Sequence, residues 1–113
     1  MIKRGSIIQR EVSVTEWAVH TGIYIGRNKV IHFDGESSNS DKSLDKVVMT
    51  SLEEFSDGKD VFIRKEPIDE IHGEKVIKRA FQIMNDKNND YNGNYGIIFG
   101  KNCQDFTADC FNI

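Results

Sequence analysis

Trp17-Ala18-Val19-His20-Thr21-Gly22-Ile23-Tyr24-Ile25-Gly26-Arg27-Asn28-Lys29-Val30-Ile31-His32-Phe33 decides the fold. Residues 17–25 and 30–33 are rich in β-branched and aromatic side chains and flank a turn-forming cluster, the pattern of a β-hairpin. The turn length fixes which way the two histidines point. A two-residue loop, Arg27-Asn28, pairs His32 opposite Ile23 and turns it away from the His20 face. A three-residue loop, Gly26-Arg27-Asn28, pairs it opposite Gly22, so that His20 and His32 share a face at a diagonal spacing of roughly 7–8 Å. Asn28 tolerates a left-handed conformation, which favours the odd count.

Outward from the hairpin, residues 5–9 and 60–64 read as further strands. Residues 34–43 are polar and turn-rich, a surface loop placed to act as a lid. Ser51 and Glu54 stand at capping-box spacing and predict a single helical turn before an Asp57-Gly58 turn. After Pro67, Val76, Ile77, Ala80, Phe81 and Met84 recur at helical spacing over residues 74–84. His72, beside Gly73, reads as a solvent-facing turn residue. Residues 85–94 form an Asn-rich connector, and residues 95–99 return to apolar character. A last helix is expected from the N-cap Asn102, with Cys103 in its first turn and Phe106, Ala108, Cys110 and Phe111 on its buried side. The expected architecture is α+β, a small antiparallel sheet packed against helices, in a single domain over residues 1–113.

Composition narrows the function. The chain has 113 residues, 38% hydrophobic and 29% charged, which suits one folded domain rather than a disordered tail. Its formal charge of -3, with no long basic stretch, argues against nucleic acid as a partner. No apolar run approaches the roughly 20 residues that span a bilayer, so at most peripheral membrane contact is expected. Residues 1–9 lack the apolar core of a signal peptide. Two cysteines alone, about 10 Å apart if both lie on one helix, read as free thiols in a reducing, cytoplasmic compartment.

Chemistry concentrates in Cys103, His20 and His32. A thiol at a helix N-terminus meets unpaired amides and the positive end of the helix dipole, which favour its thiolate. If that helix start packs on the sheet face carrying His20, the imidazole can pair with Cys103 while His32 orients it: nucleophile, base and orienter. Asp105 is expected to reach back to the Asn102 amide as a capping box. The plainer readings are a buried packing thiol and two satisfied core histidines. Cys110 reads as core, and a zinc site from His20, His32 and both cysteines is the metal-binding alternative, although the cysteine spacing is long for structural zinc.

His20-Thr21-Gly22-Ile23-Tyr24-Ile25-Gly26 with Val30-Ile31-His32-Phe33 resembles the histidine box of the lecithin:retinol acyltransferase-like family, a circularly permuted branch of the NlpC-type papain-like superfamily. Asn102-Cys103-Gln104-Asp105-Phe106 resembles that family's Asn-Cys-Glu-His-Phe box, with Gln104 and Asp105 in place of Glu-His. The resemblance implies a permuted papain-like architecture and a thiol enzyme that works through an acyl-cysteine intermediate without a cofactor. It assigns Cys103 as nucleophile, His20 as general base and His32 as the polar third member. Asn102, Gln104 and Tyr95 are implied as supporting residues. Expected substrates are lipids or other acyl esters and amides, with peptide or isopeptide cleavage as the alternative. A binding module that keeps the fold without turnover is the further alternative.

Overall fold

The structure, a computed structural model, describes residues 1–12, 15–34, 45–93 and 102–113. In chain order its elements are β1 (Ile7–Val12), β2 (Thr15–Gly26), β3 (Lys29–Asp34), β4 (Lys46–Ser51), α1 (Leu52–Ser56), β5 (Phe62–Lys65), α2 (Glu70–Asn85) and α3 (Cys103–Phe111). The strands form one antiparallel sheet in the order β4-β3-β2-β1-β5. This is the expected α+β class. Most of the loop expected at 34–43, all of the apolar stretch at 95–99 including Tyr95, and the side chain of Trp17 lie outside the described residues. No helix among the described residues is long and apolar enough to cross a membrane.

Strand alternation gives the sheet two working faces. Ile7, Ile23, Ile25, Ile31, Phe33 and Val47 point to one side, where α2 supplies Val76, Ile77, Ala80 and Ile83 and α3 supplies Phe106, Cys110 and Phe111. On the other side a smaller cluster of Ile8, Tyr24, Val30 and Phe55 is flanked by Ile2, Leu52 and Val61. Helical periodicity thus meets sheet periodicity on one face, while α1 covers part of the other. As its sequence predicts, α1 starts at Ser51, whose hydroxyl accepts from the Glu54 amide at 3.0 Å, and stops at Asp57 in the left-handed region.

Two elements depart from the sequence reading. Strand β4 carries three β-branched residues, Val47, Val48 and Thr50, but buries only Val47, so it lacks the alternation that would have marked it. Helix α2 begins a turn before residue 74, because Asp69 caps it by accepting from the His72 amide at 2.8 Å. His72 is therefore helical and half-buried rather than solvent-facing. Its Nδ1 accepts from the Ile68 amide at 3.0 Å, so Nε2 carries the proton and donates to the Phe111 carbonyl at 2.9 Å, tying the start of α2 to the end of α3.

Gly73 sits inside this helix for a packing reason. A Cβ there would stand 2.5 Å from the Arg4 carbonyl oxygen, and one on Gly5 would stand 2.5 Å from the Gly73 Cα. Around this contact Arg4 grips Glu74 with two bonds of 2.9 and 3.1 Å and donates to the Ile25 carbonyl. In a free helix, Gly→Ala gains up to about 1 kcal/mol, whereas forcing atoms into a packed contact costs about 1–3 kcal/mol. Backbone on both sides cannot swing away as a flexible side chain would, so the second effect wins. Gly73→Ala is expected to lower the urea midpoint of unfolding; a raised midpoint would show that the Arg4–Gly5 segment yields.

Candidate functional site

The site begins with the β2–β3 turn. Arg27 and Asn28 both have positive φ, 52° and 59°, the backbone of a two-residue primed turn closed by the Gly26–Lys29 pair. Alone, that turn would place His32 opposite Ile23. The register shifts between Tyr24 and Gly26, however, so that Tyr24 pairs with Val30 and Ile23 with Ile31. One bulged residue does what a three-residue loop would have done, and continuing the register sets His32 beside Gly22.

His20 and His32 consequently meet on one face. Their Nε2 and Nδ1 atoms are 2.8 Å apart and the rings are nearly perpendicular, 5.0 Å between centroids. Both are buried, 6% and 4% exposed. The far side of His32 contacts the Thr50 hydroxyl through Nε2 at 3.0 Å, and that hydroxyl donates to the Ser51 carbonyl at 3.2 Å.

Phe55 of α1 roofs the pair. Its ring lies 5.3 Å from each imidazole, stacked on His20 at 30° and edge-on to His32. Gly22 makes room for this, since a Cβ there would come within 2.9 Å of the Phe55 ring and 3.1 Å of the His32 Cβ. Arg10, opposite His20 in the β1–β2 register, donates to the Phe55 carbonyl and holds its guanidinium carbon 5.9 Å from the ring centroid. Phe55, Gly22 and Arg10 had no functional role in the sequence reading. The capping-box spacing at Ser51 was the usable signal for Phe55, because it opens a one-turn helix whose large apolar side chains are Leu52 and Phe55, and Phe55 is the buried one.

Cys103 is built as expected at a helix start, but the helix it opens packs on the sheet face away from His20. Asn102 caps α3 by accepting from the Gln104 and Asp105 amides at 2.9 and 3.0 Å, and Asp105 accepts from the Asn102 amide at 2.9 Å. The helix then lays Phe106 and Cys110 into the Ile23–Ile31 cluster, and Thr107 bonds Thr21 hydroxyl to hydroxyl at 3.1 Å. Thr21 and His20 are neighbours on one strand and point to opposite faces. The expectation that α3 packs on the His20 face is thus corrected: its apolar stripe takes the larger apolar face, and Phe55 covers the other.

The Cys103 thiol, 3% exposed, donates to the Val19 carbonyl at 3.7 Å, one residue from His20 along β2. Among the described residues it makes no hydrogen bond to either imidazole. Gln104 is exposed and contributes only its backbone amide to the cap. Cys110 is fully buried, and burial pushes its thiol far above the usual range, as suits a core residue. A zinc site that includes the cysteines is not assembled; the donors that do converge, all within 4.8 Å of one another, are His20, His32 and the exposed Asp34. Tyr91, which the sequence reading did not single out, is buried and donates to Asp109 at 2.8 Å, tying the connector to α3.

Burial is the main reason both imidazoles stay neutral. It pulls His20 down to about 3, aided by His32 and then Arg10, and His32 down to about 4, aided by Arg10. In the unfolded chain each titrates near 6.5, so below that pH the unfolded state takes up protons that the folded state refuses. Stability is therefore full above about pH 6.5 and falls as pH drops toward 4, by up to about 1.4 kcal/mol per pH unit per histidine. Urea unfolding at pH 7 and pH 5 should show this loss in the wild type and a smaller one in a His20→Gln/His32→Gln variant. Equal losses in both would place the acid sensitivity elsewhere.

Compared with known proteins, the chain matches the family described as lecithin retinol acyltransferase over residues 1–112. No curated protein matches it significantly. The match takes in the hairpin that pairs His20 with His32 and the helix that begins at Cys103, so it spans both parts of the candidate site. The chain belongs to the lecithin retinol acyltransferase family.

Proposed function

We propose that the protein is a cysteine-dependent acyl hydrolase or acyltransferase, acting on lipid or other acyl esters and amides. Family membership points to acyl transfer or hydrolysis as the type of reaction. The observation that carries the finer reading is the buried 2.8 Å bond between His20 and His32, which gives one imidazole a fixed neighbour and leaves its other nitrogen for chemistry.

In this reading the Cys103 thiol gives its proton to His20 Nδ1 as Sγ attacks the substrate carbonyl carbon. Collapse of the tetrahedral intermediate breaks the bond to the leaving alcohol or amine, which takes the proton back from His20. Water, or an acceptor hydroxyl or amine, then attacks the acyl-cysteine and loses its proton to His20, which returns that proton to Sγ as the C–S bond breaks and the thiol is released. His32 keeps the His20 ring in orientation throughout. The Gln104 and Asp105 amides are committed to the Asn102 cap, so the Cys103 amide is the helix-start donor for the oxyanion. In the structure the thiol contacts the Val19 carbonyl rather than His20, so in this reading the proton transfer requires the start of α3 to shift relative to β2 until Sγ reaches the His20 ring. Two free thiols fit a reducing compartment such as the cytoplasm.

Alkylation tests this without a known substrate. Iodoacetamide should modify Cys103 and spare Cys110, and His20→Asn should slow the modification of Cys103 across neutral pH. On a panel of acyl esters and amides, Cys103→Ala should abolish turnover and His20→Asn should lower it by about 10²–10⁴-fold. Turnover that survives Cys103→Ala, or two cysteines that react alike in wild type and His20→Asn, would overturn the reading.

A further inference from the structure

A base must hold a bare nitrogen toward the group it deprotonates. Each neutral imidazole has one N–H and one lone pair, so the His20–His32 bond can run in two directions. In one, His20 Nε2–H donates to His32 Nδ1 and leaves the His20 Nδ1 lone pair free. In the other, His32 Nδ1–H donates to His20 Nε2, and His20 Nδ1 carries a proton that disqualifies it. The 2.8 Å contact alone is satisfied by either.

The tie is broken one contact further out. Thr50 Oγ1 lies 3.2 Å from the Ser51 carbonyl and 3.0 Å from His32 Nε2. The Ser51 carbonyl can only accept, so with the single hydroxyl proton directed to it the Thr50 oxygen accepts from His32 Nε2–H. His32 Nδ1 is then an acceptor, and the chain runs in the productive direction. Thr50 is placed for this by pairing with Val30 in the β3–β4 ladder, which puts it on the same face as His32 and diagonal to it.

We propose that Thr50 is a positioning residue that fixes the Nε2–H tautomer of His32 and thereby keeps the His20 Nδ1 lone pair free for the Cys103 proton. This rests on the acyl-cysteine reading for its catalytic consequence, whereas the tautomer itself is independent of it. Valine at position 50 keeps the shape and strand preference of threonine but offers no acceptor. An N–H buried without an acceptor is the arrangement folded proteins avoid most. His32 then moves its proton to Nδ1 and His20 takes its own on Nδ1.

Nitrogen-15 NMR of the histidine rings reads the tautomer directly in wild type, Thr50→Val and Thr50→Ser. Wild type and Thr50→Ser should show His32 protonated on Nε2 and His20 bare on Nδ1, and Thr50→Val should show both reversed. Alkylation of Cys103 at neutral pH should slow about tenfold in Thr50→Val and return in Thr50→Ser. An unchanged His32 tautomer in a folded Thr50→Val protein overturns the proposal. So does reversal of the tautomer without slower alkylation, provided that His20→Asn does slow it. If His20→Asn leaves alkylation unchanged, it is the acyl-cysteine reading that fails, and the NMR result still decides what Thr50 does to His32.

Discussion

A strand lets a side chain point only one of two ways, and in β2 and β3 that alternation decides which residues build the core and which build the site. Odd-numbered Thr21, Ile23, Ile25, Ile31 and Phe33 face α2 and α3, while His20, Gly22, Tyr24, Val30 and His32 face the side of Phe55. The bulge between Tyr24 and Gly26 makes the two strands agree. Without it β3 would slip by one residue relative to β2, and the inward and outward sets would no longer line up between neighbours. The histidine pair, the apolar cluster and the Thr50 contact all inherit that one extra residue.

The two faces carry different burdens. The helix-covered side holds most of the large apolar residues and gives the domain its core. Among the described residues the other side is thinner, covered in part by the short helix α1, yet it buries two imidazoles. It does so with a stacked phenylalanine, a glycine that lets the ring sit close and an arginine that fastens α1 down from β1. That arrangement keeps both rings neutral, so each carries one N–H and one lone pair and the two can share a hydrogen bond.

Much of this was legible in the chain. The histidine parity followed from counting loop residues, although the extra residue proved to be a bulge before the turn rather than part of it. The capping box of Asn102 and Asp105 formed as the spacing required, and Cys110 is a core thiol. What escaped had no local signature. Strand β4 buries too little to alternate, the early start of α2 depends on an aspartate cap and on a backbone contact with Arg4, and Thr50 acquires its role only from a neighbour 18 residues away. The side of the sheet chosen by α3 is a competition between two apolar surfaces, which no motif encodes. Tyr95 lies outside the described residues.

The ion pair between Arg4 and Glu74 joins residues 70 positions apart, whereas His20, His32 and Thr50 all belong to one run of consecutive antiparallel strands. Closing a loop costs more entropy as it lengthens. The β2-β3-β4 meander therefore has the shortest route to its native contacts, and the N-terminal clasp, which needs β1 threaded between β2 and β5, has one of the longest. During folding the imidazole pair can assemble from a piece of chain about a third of the whole. Cys103 reaches its place beside the Val19 carbonyl only when the final helix docks, so the thiol is positioned after the imidazole pair.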